Sequence, residues 1–179
     1  MATVNPSLPR IYCASPLGFS EAGRIFLEQA IQPAFRAAGL AMVDPWTLTD
    51  PALIGAALAL PLGLERRVAL QRLNGVIGRN NQNGIQDAEG LFAVLDGVDV
   101  DSGTAAEIGF AAALDLPMLG YRGDFRLSAD NEGGIVNLQV EHFLRSSGGG
   151  GGTIITATTE LLPGLAALRA RILARRATE

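Results

Sequence analysis

Lysine is absent from this chain of 179 residues: all 14 of its cations are arginine, set against 18 aspartates and glutamates. Without lysine there is no Walker A phosphate clamp, no Schiff-base amine for pyridoxal phosphate or a carbonyl substrate, and no lysine general base. Cysteine and histidine occur once each, as Cys13 and His142. One thiol makes no internal disulfide and one imidazole no histidine cluster, which argues against zinc held by nitrogen or sulfur; no metal and no cofactor is expected. Long apolar runs are also missing. The longest, Ala52 to Leu64, is broken by Pro61 and is too short for the ~30 Å of a hydrocarbon core; Met1 to Arg10 carries no apolar signal core. Net charge is -4, and the only adjacent arginine pairs are Arg66-Arg67 and Arg175-Arg176. The basic stripe of a nucleic-acid binder is therefore missing. These features predict a soluble, cytoplasmic protein without a nucleic-acid or membrane partner.

What is there is apolar and periodic: 48% of residues are hydrophobic, and the length suits a single domain across residues 1–179. Arg10 to Ala14 reads as a first strand ended by Ser15-Pro16-Leu17-Gly18. From Ser20, Leu27, Ala30, Ile31, Ala34, Phe35 and Ala38 form one helical face, stopped by Gly39, with Pro33 predicting a kink or break. Leu40 to Val43 follows as a strand. Asp50 to Arg79 reads as two helical pieces around Pro61-Leu62-Gly63, and Asn80 to Gly84 as a turn-prone polar stretch or the polar face of a helix entering Ile85. Leu91 to Leu95 is a strand, Asp96 to Asp101 a turn, Ser102 to Leu114 a helix, and Pro117 to Tyr121 a strand. Arg122 to Gly134 reads as a loop, and Asn137 to Arg145 as a short helix. Gly148 to Gly152 is a glycine-rich linker before a last strand (Thr153 to Ala157) and a closing helix (Leu161 to Arg176). Strands alternating with helices predict an α/β fold: a doubly wound, flavodoxin-like, mostly parallel five-stranded sheet flanked by helices.

In such sheets ligands sit beyond the carboxyl ends of the strands. Four places qualify: Tyr12 to Phe19, Asp44 to Trp46, Asp96 to Glu107, and Tyr121 onward. The third packs four carboxylates into twelve positions beside glycines and a helix N-terminus. A bland account exists, in which Asp101 or Ser102 caps the helix and Thr104-x-x-Glu107 is a capping box. Against it, Glu107 precedes an apolar run, Ile-Gly-Phe-Ala-Ala-Ala, that would hold its carboxylate at the sheet edge. A capping glutamate has no need of that. Phe19 and Trp46 are placed to line a pocket by stacking or to pack as core. Cys13 reads as a small core residue, and His142 as a surface residue.

The specific element is Asp101-Ser102-Gly103-Thr104-Ala105-Ala106-Glu107-Ile108-Gly109-Phe110-Ala111. Together with Ile11-Tyr12-Cys13-Ala14-Ser15-Pro16-Leu17, Asn83-Gly84-Ile85 and Asn137-Leu138-Gln139, it resembles the nucleoside 2-deoxyribosyltransferase family, in order over residues 10 to 145. The resemblance implies transfer of a 2-deoxyribosyl group between nucleobases with retention. Glu107 would be the nucleophile at C1′, Tyr12 the residue that orients it, and Asp101 a carboxyl group beside base and sugar. The substrate-binding set would be Phe19, Asp44, Trp46, Asn81, Gly103, Asn137 and Gln139. A deoxynucleoside and a free nucleobase are the implied partners. In the family Asn137 is donated across a subunit interface, which implies a homo-oligomer, a dimer or hexamer. One departure stands out: Asn80-Asn81-x-x-Gly84-Ile85 carries an amide where some relatives have an aspartate that contacts the base, and an amide does not transfer a proton at neutral pH. Two alternatives stay open. A nucleoside 5′-monophosphate N-glycoside hydrolase would share Glu107 and hold phosphate through Ser15, Ser102 and Gly103, although the missing lysine and the acidic cluster disfavour a dianion. A non-catalytic nucleoside or nucleotide sensor would need neither Tyr12 nor Glu107.

Overall fold

Five short strands carry the apolar runs and pair side by side in parallel: β1 (Arg10–Ala14), β2 (Ala41–Val43), β3 (Gly90–Val94), β4 (Met118–Tyr121) and β5 (Thr153–Ile155). The computed structural model describes residues 8–126 and 132–178. Residues 1–7 of the Met1 to Arg10 stretch, read as lacking a signal core, and residues 127–131 of the expected polar loop lie outside them. The sheet order is β2-β1-β3-β4-β5, the flavodoxin-like order whose chain reverses direction across the sheet between β1 and β3. A crevice opens there, at the carboxyl ends of those two strands.

Strand alternation divides the core in two. Ile11, Cys13, Phe92, Val94, Leu119 and Tyr121 face Leu27, Ile31, Phe35, Leu165, Leu168 and Ile172. Tyr12, Ala14, Leu91, Ala93, Leu95 and Met118 face Ile85, Ile108, Ala111, Val140 and Leu144 on the other side. A period of two forces this division, because successive side chains point to opposite faces. Each fully buried aliphatic or aromatic side chain contributes ~1.5–3 kcal/mol. Cys13, 1% exposed, is such a core residue.

The first helical region shows how Pro33 is accommodated. Helix α1 (Glu21–Phe26), capped by Ser20, runs into a π segment, Leu27–Ile31, and then into α2 (Gln32–Ala38), which ends at Gly39 with φ 69°. The Gln32 N–H reaches the Leu27 carbonyl, five residues back. The wider turn makes room for a proline that has no N–H and would crowd the preceding turn. The expected kink is thus a π turn within continuous helix.

Helices α3 (Pro51–Ala59) and α4 (Leu64–Gln86) are the two pieces expected around Pro61, but α4 runs further than the turn reading of Asn80 to Gly84. Those polar residues are helix, as the alternative reading of a helix entering Ile85 expected, with Asp87 at its end. Their turn propensity is overridden by tertiary contacts: Asn80 Nδ2 donates to the Leu48 carbonyl (3.1 Å) and to Thr49 Oγ1 (3.0 Å). Helices α5 (Ser102–Ala113), α6 (Leu138–Ser146) and α7 (Leu161–Arg176) complete the layers. In the glycine run, residues 148 to 151 all have positive φ, between 66° and 82°. Asp115 Oδ1 accepts from the Gly148 N–H (2.8 Å), and Arg171 donates to the Gly150 carbonyl (2.6 Å). No helix among the described residues is long and apolar enough to cross a membrane.

Candidate active site

At the crevice, the Tyr12 hydroxyl donates to Glu107 Oε1 at 2.6 Å. Tyr12 lies in β1 on the face that meets α4 and α5 and is fully buried. A buried phenol needs a polar partner, and the short distance fits an O–H bond to a carboxylate. Glu107 sits on the second turn of α5, beside Ile108, which packs into the core. The capping-box reading does not hold. Asp101 is the cap, accepting from Thr104 N (2.9 Å) and Thr104 Oγ1 (3.3 Å) through Oδ2, while Glu107 turns to Tyr12. Burial raises the Glu107 carboxyl above its ordinary range; the Tyr12 bond pulls it back, and Asp101 raises it further. Burial, with the bond to Glu107, holds the Tyr12 phenol far above its ordinary value, so Tyr12 remains a donor.

Glu107 borders a cavity of about 400 Å³. The first turn contributes Ser15 and Phe19, the turn after β2 Trp46 and Thr49, and α3 Ile54. Asn74, Ile77 and Asn81, at i, i+3 and i+7 of α4, supply another wall, and Asp101, Gly103 and Thr104 the start of α5. Phe19 and Trp46 are 77% and 45% exposed, which places them on the rim and removes the core alternative. Their rings meet edge to face, with centroids 4.8 Å apart at 87°. Gly18 is required beneath them: a Cβ there would lie 2.0 Å from Trp46 Cε2.

Asp44 does not line the cavity. Its Oδ1 accepts from the Trp46 N–H at 3.0 Å, so it holds the turn that carries Trp46. Burial raises its carboxyl. Of the acidic cluster, Asp96 accepts from Asp124 N and Asp99 from Val100 N, and neither borders the cavity. Asn137 caps α6, accepting from Gln139 N at 3.0 Å, and both residues are exposed and outside the cavity. His142 is exposed on α6. Asn81 Oδ1 is buried without a hydrogen-bond partner. Asn81 and Glu107 also border a more open groove of about 480 Å³, lined by Gly78, Gln82, Ile85, Ala106 and Phe110. No group of three or more histidine, cysteine, aspartate or glutamate side chains among the described residues could hold a metal ion.

Sequence reasoning missed Thr49, Ile54, Asn74 and Ile77. The last two become legible once α4 is continuous through Asn81, because the helical spacing then puts all three on one face.

The fold and the crevice define the class first: a doubly wound α/β protein with a cavity at the switch point of a parallel sheet, bordered by a tyrosine-bound glutamate. The sequence matches the nucleoside 2-deoxyribosyltransferase family over residues 11–139, and the chain belongs to that family of glycosyl-transferring enzymes. A conserved protein from Enterococcus faecalis V583 shares the fold at a TM-score of 0.59 and 19% identity, covering 89% of this chain and 98% of its own. A 2-deoxyribosyltransferase from Bacillus psychrosaccharolyticus does so at 0.52 and 19% identity, covering 86% and 90%. No curated protein matches the sequence.

Proposed function

We propose that this protein exchanges nucleobases on 2′-deoxyribonucleosides, with retention, through an ester between C1′ and Glu107. The observation that carries the reading is the Tyr12–Glu107 hydrogen bond at an aromatic-rimmed cavity. Glu107, as carboxylate, attacks C1′; the C1′–N bond breaks, and the base leaves with the electron pair and takes up a proton. A nitrogen of the incoming base then attacks C1′, gives up its N–H proton by the route that supplied one to the departing base, and frees the carboxylate, so two inversions give retention. Tyr12 orients the attacking oxygen. The cap bonds occupy Asp101 Oδ2, leaving Oδ1 to face the departing base as a proton relay. Phe19 and Trp46 would stack on the base, and Asn81, in the cavity wall, would meet it with its side-chain amide.

The cavity lining contains no arginine, which favours an uncharged nucleoside over a 5′-monophosphate. The open groove beside Glu107 and the exposed position of Asn137 and Gln139 support a homo-oligomer in which a neighbour's α6 completes the sugar site. Such chemistry fits nucleoside salvage in the cytoplasm.

The test is chromatography of a 2′-deoxynucleoside incubated with and without a second base, repeated with the 5′-monophosphate. New deoxynucleoside is expected only with the acceptor base, and Glu107→Ala is expected to lose about four or more orders of magnitude of rate. Base release from the monophosphate without exchange would replace this reading with hydrolysis.

A further inference from the structure

Arg122 follows β4 and is 2% exposed. Its guanidinium donates to three backbone carbonyls: Leu95 (2.5 Å), Gly97 (3.1 Å) and Arg126 (3.0 Å). The first two belong to the connection from β3 to α5, the third to the chain leaving β4. A second tie runs beside it, from the Asp124 N–H to Asp96 Oδ1 at 2.9 Å. The connection is further fixed by Gly97, with φ 131°, and by Val100, 9% exposed and packed in the core. It ends at Asp101, the cap of α5, and α5 carries Glu107.

A buried cation needs full hydrogen bonding to be tolerated. The planar guanidinium satisfies three acceptors at once, and an ammonium, a point charge on a flexible stem, does not reproduce that fork. We propose that Arg122 is a positioning residue of the site, stapling the β3–α5 connection so that Glu107 stays in hydrogen-bond reach of Tyr12. It lines neither the cavity nor the open groove beside Glu107; it acts through the loop.

The effect on transfer rests on the function proposed above, so the test has two readouts. The first is independent of turnover: the Glu107 carboxyl is titrated by carbon NMR in wild type and in Arg122→Lys and Arg122→Gln, its signal identified by its loss in Glu107→Gln. The titratable groups that act on Glu107 are Tyr12 and the adjacent Cys13 from β1 and Asp101 at the start of α5, whereas the α4 wall offers the uncharged Asn74, Ile77 and Asn81. Loss of the Tyr12 bond removes the influence that lowers Glu107, so its titration should move to higher pH in both variants.

The second readout is base exchange. Displacing a reacting group by about 1 Å costs ~100-fold, so kcat should fall roughly 10- to 100-fold with KM nearly unchanged. Glutamine removes the buried charge and keeps an amide donor, and is the variant expected to fold with the smaller loss of melting temperature. If a folded variant loses thermal stability while its Glu107 titration and kcat stay at wild-type values, Arg122 is a structural staple only and the proposal fails. A wild-type protein that exchanges no bases, with the Glu107 titration still displaced in the variants, would remove the transferase reading and leave the positioning role standing.

Discussion

Two demands on Glu107 oppose one another: the proposed mechanism needs it ionised to attack C1′, and the fold holds it where ionisation is costly. Burial raises its carboxyl above the unfolded value. Between those two values the folded chain binds more protons than the unfolded one, so stability falls as pH rises through that window. Glu107→Gln removes this cost and keeps an acceptor for Tyr12. We expect its melting temperature to exceed that of wild type above the window and to match it below; a variant less stable than wild type at pH 8 contradicts this. If Glu107 is the nucleophile, the same shift in the free protein places the acid limb of the kcat/KM profile above the ordinary glutamate range. Tyr12→Phe deletes one hydrogen bond to a charged group, worth ~1.5–3 kcal/mol. Its kcat/KM should drop about 10- to 150-fold, short of the loss for Glu107→Ala. Equal losses would make Tyr12 more than an orienting group. At this scale the motif around Glu107 was readable, because residue types and spacing survive in sequence. The supporting role of Asp44 was not, because only the fold shows that it holds Trp46 without lining the cavity.

Helix α4 divides its labour by face. Asn74, Ile77 and Asn81 line the cavity, while Asn80 anchors the segment at Leu48 and Thr49. Gly84, one turn beyond Asn80, lies against the Tyr12 ring: a Cβ there would come within 2.8 Å of Leu48 Cδ1 and 3.3 Å of Tyr12 Cε2. Alanine is the better helix former by about 1 kcal/mol, but here it must push on both neighbours, and overpacking costs ~1–3 kcal/mol. Gly84→Ala should therefore be neutral to destabilising by chemical denaturation and should lower kcat through Tyr12. A stabilised variant with full activity would show that the helix does not set the position of the ring. Read as sequence, Asn80 to Gly84 is a string of turn formers. Local propensity pointed the wrong way because the contacts that keep it helical come from residues more than 30 positions away.

For the whole molecule, the strand alternation, the helix-ending Gly39 and the split at Pro61 were all legible, since hydrophobic period and backbone sterics are local properties. The parallel order β2-β1-β3-β4-β5 places Tyr12 and Glu107, 95 positions apart in sequence, within one hydrogen bond. If the site is completed by a neighbour, Glu107→Ala and Asn137→Ala, each weak alone, should regain activity when mixed under conditions that let subunits exchange. An Asn137→Ala variant as active as wild type would rule that arrangement out. What the sequence determined alone is what short-range rules encode: where most strands and helices lie, which chemistries the missing lysine removes, and which carboxylate sits in a family motif. What only the tertiary structure decided is which polar groups face one another. That Trp46 rests on Gly18, that Arg122 ties the loop leading to Asp101, and that Asn81 turns into the cavity depend on long-range packing, where the free energy comes from burying surfaces distant in the chain.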